Sequence, residues 1–106
     1  MYKKRTYINR FSFFECLLYR FHFNRIRAFF KTLPNEWHFK HWGGGYAKVG
    51  IPDLIGCING KFVAIEVKAS DGKPSPLQIR TINKINSAGG YAIVAYPEQF
   101  DELKKI

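Results

Sequence analysis

Three residues between positions 53 and 68 carry groups able to act together on a charged substrate: Asp53, Glu66 and Lys68. Residues 53–68 read DLIGCINGKFVAIEVK. A short apolar run, 53–58, is parted from an alternating run, 62–68, by Asn59-Gly60. That dipeptide is the one most favoured in a two-residue type I′ turn, where both positions need φ > 0. The pattern predicts an antiparallel hairpin. Period-2 alternation then puts Val63, Ile65 and Val67 on one face and Ala64, Glu66 and Lys68 on the other, with Asp53 brought close from the partner strand. Two carboxylates converging from adjacent strands suit a hard, oxygen-preferring cation such as Mg²⁺ or Mn²⁺. A neighbouring ammonium can orient a water or help to deprotonate it. The plainer reading of the same residues is a partly exposed Glu–Lys ion pair on a solvated sheet face.

The elements that must position these groups follow from the rest of the chain. At 106 residues it is expected to be one domain, residues 1–106, with a single modest core. With 46% hydrophobic and 17% aromatic residues it is expected to fold rather than stay disordered. Cys16 and Cys57 lie far apart, outside any C-x-x-C pair, and are expected to be buried free thiols in a reducing compartment, which places the protein in the cytoplasm. His22, His38 and His41 share no ligand spacing with them, which argues against a structural zinc site. No run approaches the ~18 apolar residues of a membrane span. The basic N-terminus leads into an apolar stretch interrupted by Arg20, His22, Asn24, Arg25 and Arg27, unlike a signal peptide.

Net charge is +9, and it is concentrated: residues 1–31 hold eight Lys/Arg against one acid, Glu15. A polyanionic partner is implied. Residues 11–31 place large apolar side chains at 14, 17, 18, 21, 26, 29 and 30, an approximate helical stripe, with Asn9 or Ser12 as its cap and Leu33-Pro34-Asn35 as its end. Arg20, Arg25 and Arg27 interleaved with Phe and Tyr suit phosphate contact and stacking on unpaired bases. A solvated basic face and a membrane-surface helix are the competing readings. Residues 37–42 (WHFKHW) read as a strand, and 43–50 as a Gly-rich loop without the Gly-Lys-Ser/Thr and following helix of a nucleotide P-loop.

Downstream, Ser75, Pro76 and Gln78 form an S-x-x-Q capping box with Pro at the first helical position. The helix is expected over 76–88, with Leu77, Ile79, Ile82 and Ile85 inward, and to stop at Gly89-Gly90. Residues 91–96 (YAIVAY) read as a buried strand, and a short terminal helix follows with Phe100 and Leu103 inward. Strand–helix–strand over 62–96 requires a parallel pair beside the antiparallel hairpin. The prediction is an α/β fold with a mixed central sheet flanked by helices.

The ordered set G-I-P-D (50–53), hairpin, I-E-V-K (65–68), G-K-P-S-x-x-Q (72–78) and a helix ending in Gly-Gly resembles the VRR-NUC family of the PD-(D/E)-x-K nuclease superfamily, over about residues 37–100. The resemblance implies a restriction-endonuclease-like αβββαβ core and a Mg²⁺- or Mn²⁺-dependent endonuclease acting on branched DNA, Holliday junctions or flaps, as a homodimer, with no small-molecule cofactor. It implies Asp53, Glu66 and the backbone carbonyl of Val67 as metal ligands, and Asp53, Glu66, Lys68 and Gln78 as catalytic residues. In that family the loop 43–50 runs near the scissile strand, which would bring Lys40, Tyr46 and Lys48 to the DNA backbone; a plain connector is the competing reading, and Lys73 is a further candidate contact beside the hairpin. The family supplies a further acid from its first helix. Measured from Leu33-Pro34 that position falls at 20–23, where this chain has Arg, Phe, His and Phe. Either Glu15 supplies the missing ligand or the position is lost. A nucleic-acid-binding module of the same fold without catalysis, and a small protein-interaction domain, are the alternatives.

Overall fold

A computed structural model describes residues 13–42 and 49–106. The chain runs α1 (Phe13–Lys31), β1 (Glu36–Lys40), β2 (Leu54–Ile58), β3 (Lys61–Val67), α2 (Pro76–Ser87), β4 (Tyr91–Ala95), a 3₁₀ turn (Pro97–Gln99) and α3 (Phe100–Leu103). The element order is the expected one. Asn9 and Ser12, the candidate caps of α1, lie outside the described residues.

The four strands form one sheet in the order β1-β2-β3-β4. β1–β2 and β2–β3 are antiparallel and β3–β4 is parallel, the mixed sheet that the strand–helix–strand unit requires. Asn59 and Gly60 have φ of 51° and 82°, the two left-handed positions of the predicted tight turn. β3 is therefore interior, and helices cover both of its faces. On one side Phe23, Ile26 and Phe30 of α1 pack with Leu54, Ile58, Val63, Ile65 and Val67. On the other, Ile82 and Ile85 of α2 pack on Ala64, Ala92 and Val94. Glu66 is consequently buried, 2% exposed, which rules out a solvated sheet face for it.

Several packing expectations are corrected. The inward stripe of α1 is Tyr19, His22, Phe23, Ile26 and Phe30, at helical spacing. Phe14, Leu17, Leu18 and Phe21 instead lie on the opposite, exposed side of the helix. Leu77 and Ile79 are also exposed. α2 is rotated so that two polar residues meet the sheet: Gln78 reaches Glu66, and Asn86 pairs with both backbone groups of Ala92 at 2.9 and 2.8 Å. That rotation carries Leu77 to the outer side. Cys57 is exposed and Cys16 half-buried. Cys57 stands between Trp37 and Phe62 on the part of the sheet that α2 leaves open.

α1 is tied to β4 by His22, whose Nε2–H donates to the Ala95 carbonyl at 2.9 Å. Burial pushes the His22 pKa below its ordinary value of 6.5, and Arg25 pushes the same way; the Ala95 bond and Glu98 act against them. A base with a depressed folded pKa takes up its proton more readily in the unfolded chain. Stability should therefore be complete above about pH 6.5 and fall as pH drops from there toward the folded pKa. Urea unfolding across pH 5–8 should show this slope flattened in His22→Gln.

Candidate active site

Continuing the β2–β3 register one pair beyond Leu54↔Ile65 sets Asp53 opposite Glu66. The Asp53 backbone is held from the residue just past β1, where the His41 N–H donates to its carbonyl at 2.7 Å. Its side chain is held from β3, where the Val67 N–H donates to Oδ2 at 3.0 Å. Glu66 Oε2 accepts from Gln78 Nε2 at 2.9 Å and lies 3.4 Å from Lys68 Nζ. Lys68 is only partly covered, so its ammonium stands between the buried carboxylate and solvent.

Gln78 uses both ends of its amide. Oε1 accepts from the Ser75 N–H at 2.8 Å while Ser75 Oγ accepts from the Gln78 N–H at 3.2 Å, completing the capping box. The same side chain then donates to Glu66. One side chain thus makes the cap bond and the bond to Glu66 at once. The start of α2 is further fixed by Gly50, which has φ +80° and lies so close that a Cβ there would stand 3.0 Å from the Leu77 carbonyl oxygen. The Gly-Ile-Pro-Asp turn is thereby packed against the helix that carries Gln78.

Tyr19 belongs to this cluster and was not singled out from the sequence. Its hydroxyl donates to Asp53 Oδ2 at 3.4 Å, and its ring stacks on Phe23 with 6.4 Å between centroids. Burial first, then the negative charges of Asp53 and Glu66, push the phenol pKa well above its ordinary value of 10.0, so Tyr19 is a donor throughout the neutral range. The available signal was helical spacing: counting back from Ile26 and Phe23 along the inward stripe reaches position 19.

The basic residues are placed less uniformly. Arg20 is exposed. The Arg25 guanidinium lies 4.0 Å from the centre of the Phe100 ring and donates to the Pro97 carbonyl at 3.4 Å, fastening the C-terminal turn to α1. Arg27 is half-buried and turned toward His38 Nε2 at 3.5 Å. Lys40 Nζ lies 4.5 Å from the Phe23 ring centre and 4.6 Å from that of Trp42. Lys73 is exposed in the turn before α2. Tyr46, Lys48 and the Glu15 side chain lie outside the described residues.

The donor set at the site is hard: two carboxylates on facing strands, with the Val67 backbone beside them. Among the described residues no cluster of three or more His, Cys, Asp or Glu suited to a metal occurs. Such a set fits Mg²⁺, which takes one or two carboxylates and keeps several waters, and does not fit Zn²⁺ in a closed Cys/His cage.

No family model and no curated protein matches the chain. Among solved structures it is similar to Hjc, a Holliday junction resolvase from the archaeal hyperthermophile Archaeoglobus fulgidus, with a TM-score of 0.51 and 21% identity. The match covers 73% of this chain and 64% of that one, so the chain spans less than two thirds of the resolvase. The likeness is one of fold. That fold is an α/β architecture of the restriction-endonuclease kind, with a four-stranded mixed sheet and helices on both sides. Among the described residues, no helix of this resolvase-like fold is long and apolar enough to cross a membrane.

The double duty of Gln78 predicts an asymmetry between the two members of the capping box. Ser75→Ala should cost about 1 kcal/mol, the usual cost of losing a cap. Gln78→Ala removes the reciprocal cap and the donor to a buried carboxylate, and should cost about 2–3 kcal/mol. Urea unfolding of the two variants side by side measures the difference.

Proposed function

We propose that the chain is a Mg²⁺- or Mn²⁺-dependent endodeoxyribonuclease of the VRR-NUC type that cuts branched DNA, with residues 1–106 as a single nuclease domain. The observation that carries this reading is the convergence of Lys68 and Gln78 on one oxygen of buried Glu66, opposite Asp53, in a resolvase-like fold. A solvated ion pair needs neither the burial nor the Gln78 bond.

Asp53, Glu66 and the Val67 carbonyl would hold the cation, which when bound lowers the pKa of water and offsets charge building on the phosphate. The chain's own groups do the rest. Gln78 fixes the Glu66 carboxylate from the start of α2. Lys68, partly exposed beside it, orients the attacking water and faces a phosphate oxygen. Val67 N–H and Tyr19 fix Asp53. Branched DNA as the substrate is supported by the likeness to a protein described as a Holliday junction resolvase. Symmetric cutting of two strands calls for a homodimer. The protein would work in the cytoplasm of a bacterium or phage-infected cell. A binding module without catalysis is the second reading, favoured by one observation: α1 brings the phenol of Tyr19 to Asp53 where the resembled family brings an acid.

Incubation of a labelled four-way junction and a linear duplex with Mg²⁺, Mn²⁺ or EDTA separates the two readings. Metal-dependent cutting of the junction is expected; junction binding with no cutting in either metal selects the module. Glu66→Gln and Lys68→Ala should each lower cleavage by about 10²-fold or more while junction binding persists. Metal-dependent cutting at the wild-type rate by either purified variant refutes the assignment.

DNA affinity should fall with salt by roughly 0.9 in log K per log[salt] for each neutralised phosphate. Arg20→Gln should lower that slope by about one such step. Arg25→Gln should reduce stability, through loss of the Phe100 and Pro97 contacts, and leave the slope nearly unchanged. Binding isotherms at several salt concentrations, with melting curves, check both.

A further inference from the structure

We infer that Tyr19 is a positioning residue for Asp53, taking by hydrogen bonding the place at the carboxylates that an acid from the first helix would take by sharing the cation. The inference rests on the nuclease reading above.

Two donors from two different elements meet Asp53 Oδ2: the Val67 N–H of β3 at 3.0 Å and the Tyr19 hydroxyl of α1 at 3.4 Å. Neither of these bonds uses Oδ1. A carboxylate held by one bond still rotates about its Cβ–Cγ axis; a second donor on the same oxygen from another direction restricts that rotation. At 3.4 Å the phenol bond is long for O–H···O, so what it adds is direction more than strength. The direction is reliable because the ring is fixed. Tyr19 lies on the inward stripe of α1 and stacks on Phe23 with the planes within 9° of parallel. Phe23 is itself in the main core with Ile26 and Phe30.

The chemistry differs from that of an acid in one respect. A carboxylate from α1 would add negative charge and a further oxygen ligand. A phenol that stays protonated adds neither, and instead donates to a ligand already present. Groups that hold a metal ligand by its other lone pairs typically change metal affinity or activity by about 10–100-fold when removed. The bond here is long, which puts the expectation at the lower end of that range.

Tyr19→Phe is the decisive variant, because it keeps the ring stacked on Phe23 and removes only the oxygen. Its unfolding midpoint should match that of the wild type, while its Mn²⁺ dissociation constant, read by calorimetry on metal-free protein, should rise about tenfold. Junction cleavage should be slowed at limiting Mn²⁺ and largely recover at saturating Mn²⁺, a split that a merely structural residue would not produce. Unchanged or tighter Mn²⁺ binding by Tyr19→Phe, beside a wild type that binds Mn²⁺ and cuts, removes this role and leaves the nuclease reading intact. A wild type that neither binds Mn²⁺ nor cuts removes the nuclease reading and this role together.

Discussion

Glu66 is a carboxylate 2% exposed to solvent, in the interior strand of a sheet covered on both sides. An ionised group in that setting is costly unless charge and hydrogen bonds are arranged around it. The surrounding structure supplies them from two directions: Lys68 two residues along the same strand, and Gln78 from the first turn of the following helix. Much of the molecule serves that arrangement. β4 must be parallel to β3 so that α2 can cross over the face that carries Glu66, and the Gly50 turn must come close enough to pack on Leu77.

The hairpin, the capping box and the order of elements were legible in the sequence because each is governed by local rules. Asn59-Gly60 has the backbone freedom that a type I′ turn demands. Ser75-Pro76-Leu77-Gln78 has the cap, the preset φ and the reciprocal partner in their places. The neighbourhood of Asp53, Glu66 and Lys68 was legible for the same reason, since a strand and a tight turn fix relative positions over a short stretch of chain; Gln78 was joined to them only by the family resemblance, because a cap does not say which strand residue the helix start meets.

What was not legible depends on contacts distant in sequence. The apolar residues of α1 fall on two opposite sides of the helix, so composition alone could not say which side meets the sheet. The polar His22 and the amphipathic Tyr19 sit on the packed side, and Phe14, Leu17, Leu18 and Phe21 sit on the other. Leu77 and Ile79 misled in the same way, because the rotation of α2 is set by Gln78 and Asn86 reaching polar targets in β3 and β4. Cys57 is small and apolar enough for a core, yet it lies on the α2 face of the sheet at the end that α2 does not reach.

The amide at position 78 also says something about residue choice. Helix starts of this type accept Glu or Gln as the third residue after the cap, since either can receive the bond from the cap's N–H. Only Gln can receive that bond and at the same moment hand a proton donor to a carboxylate behind it. The two contacts also settle which end of the amide is oxygen and which nitrogen, an orientation ordinarily left ambiguous. A Glu at position 78 would keep the cap and lose the donor, and would set a second carboxylate against the buried Glu66.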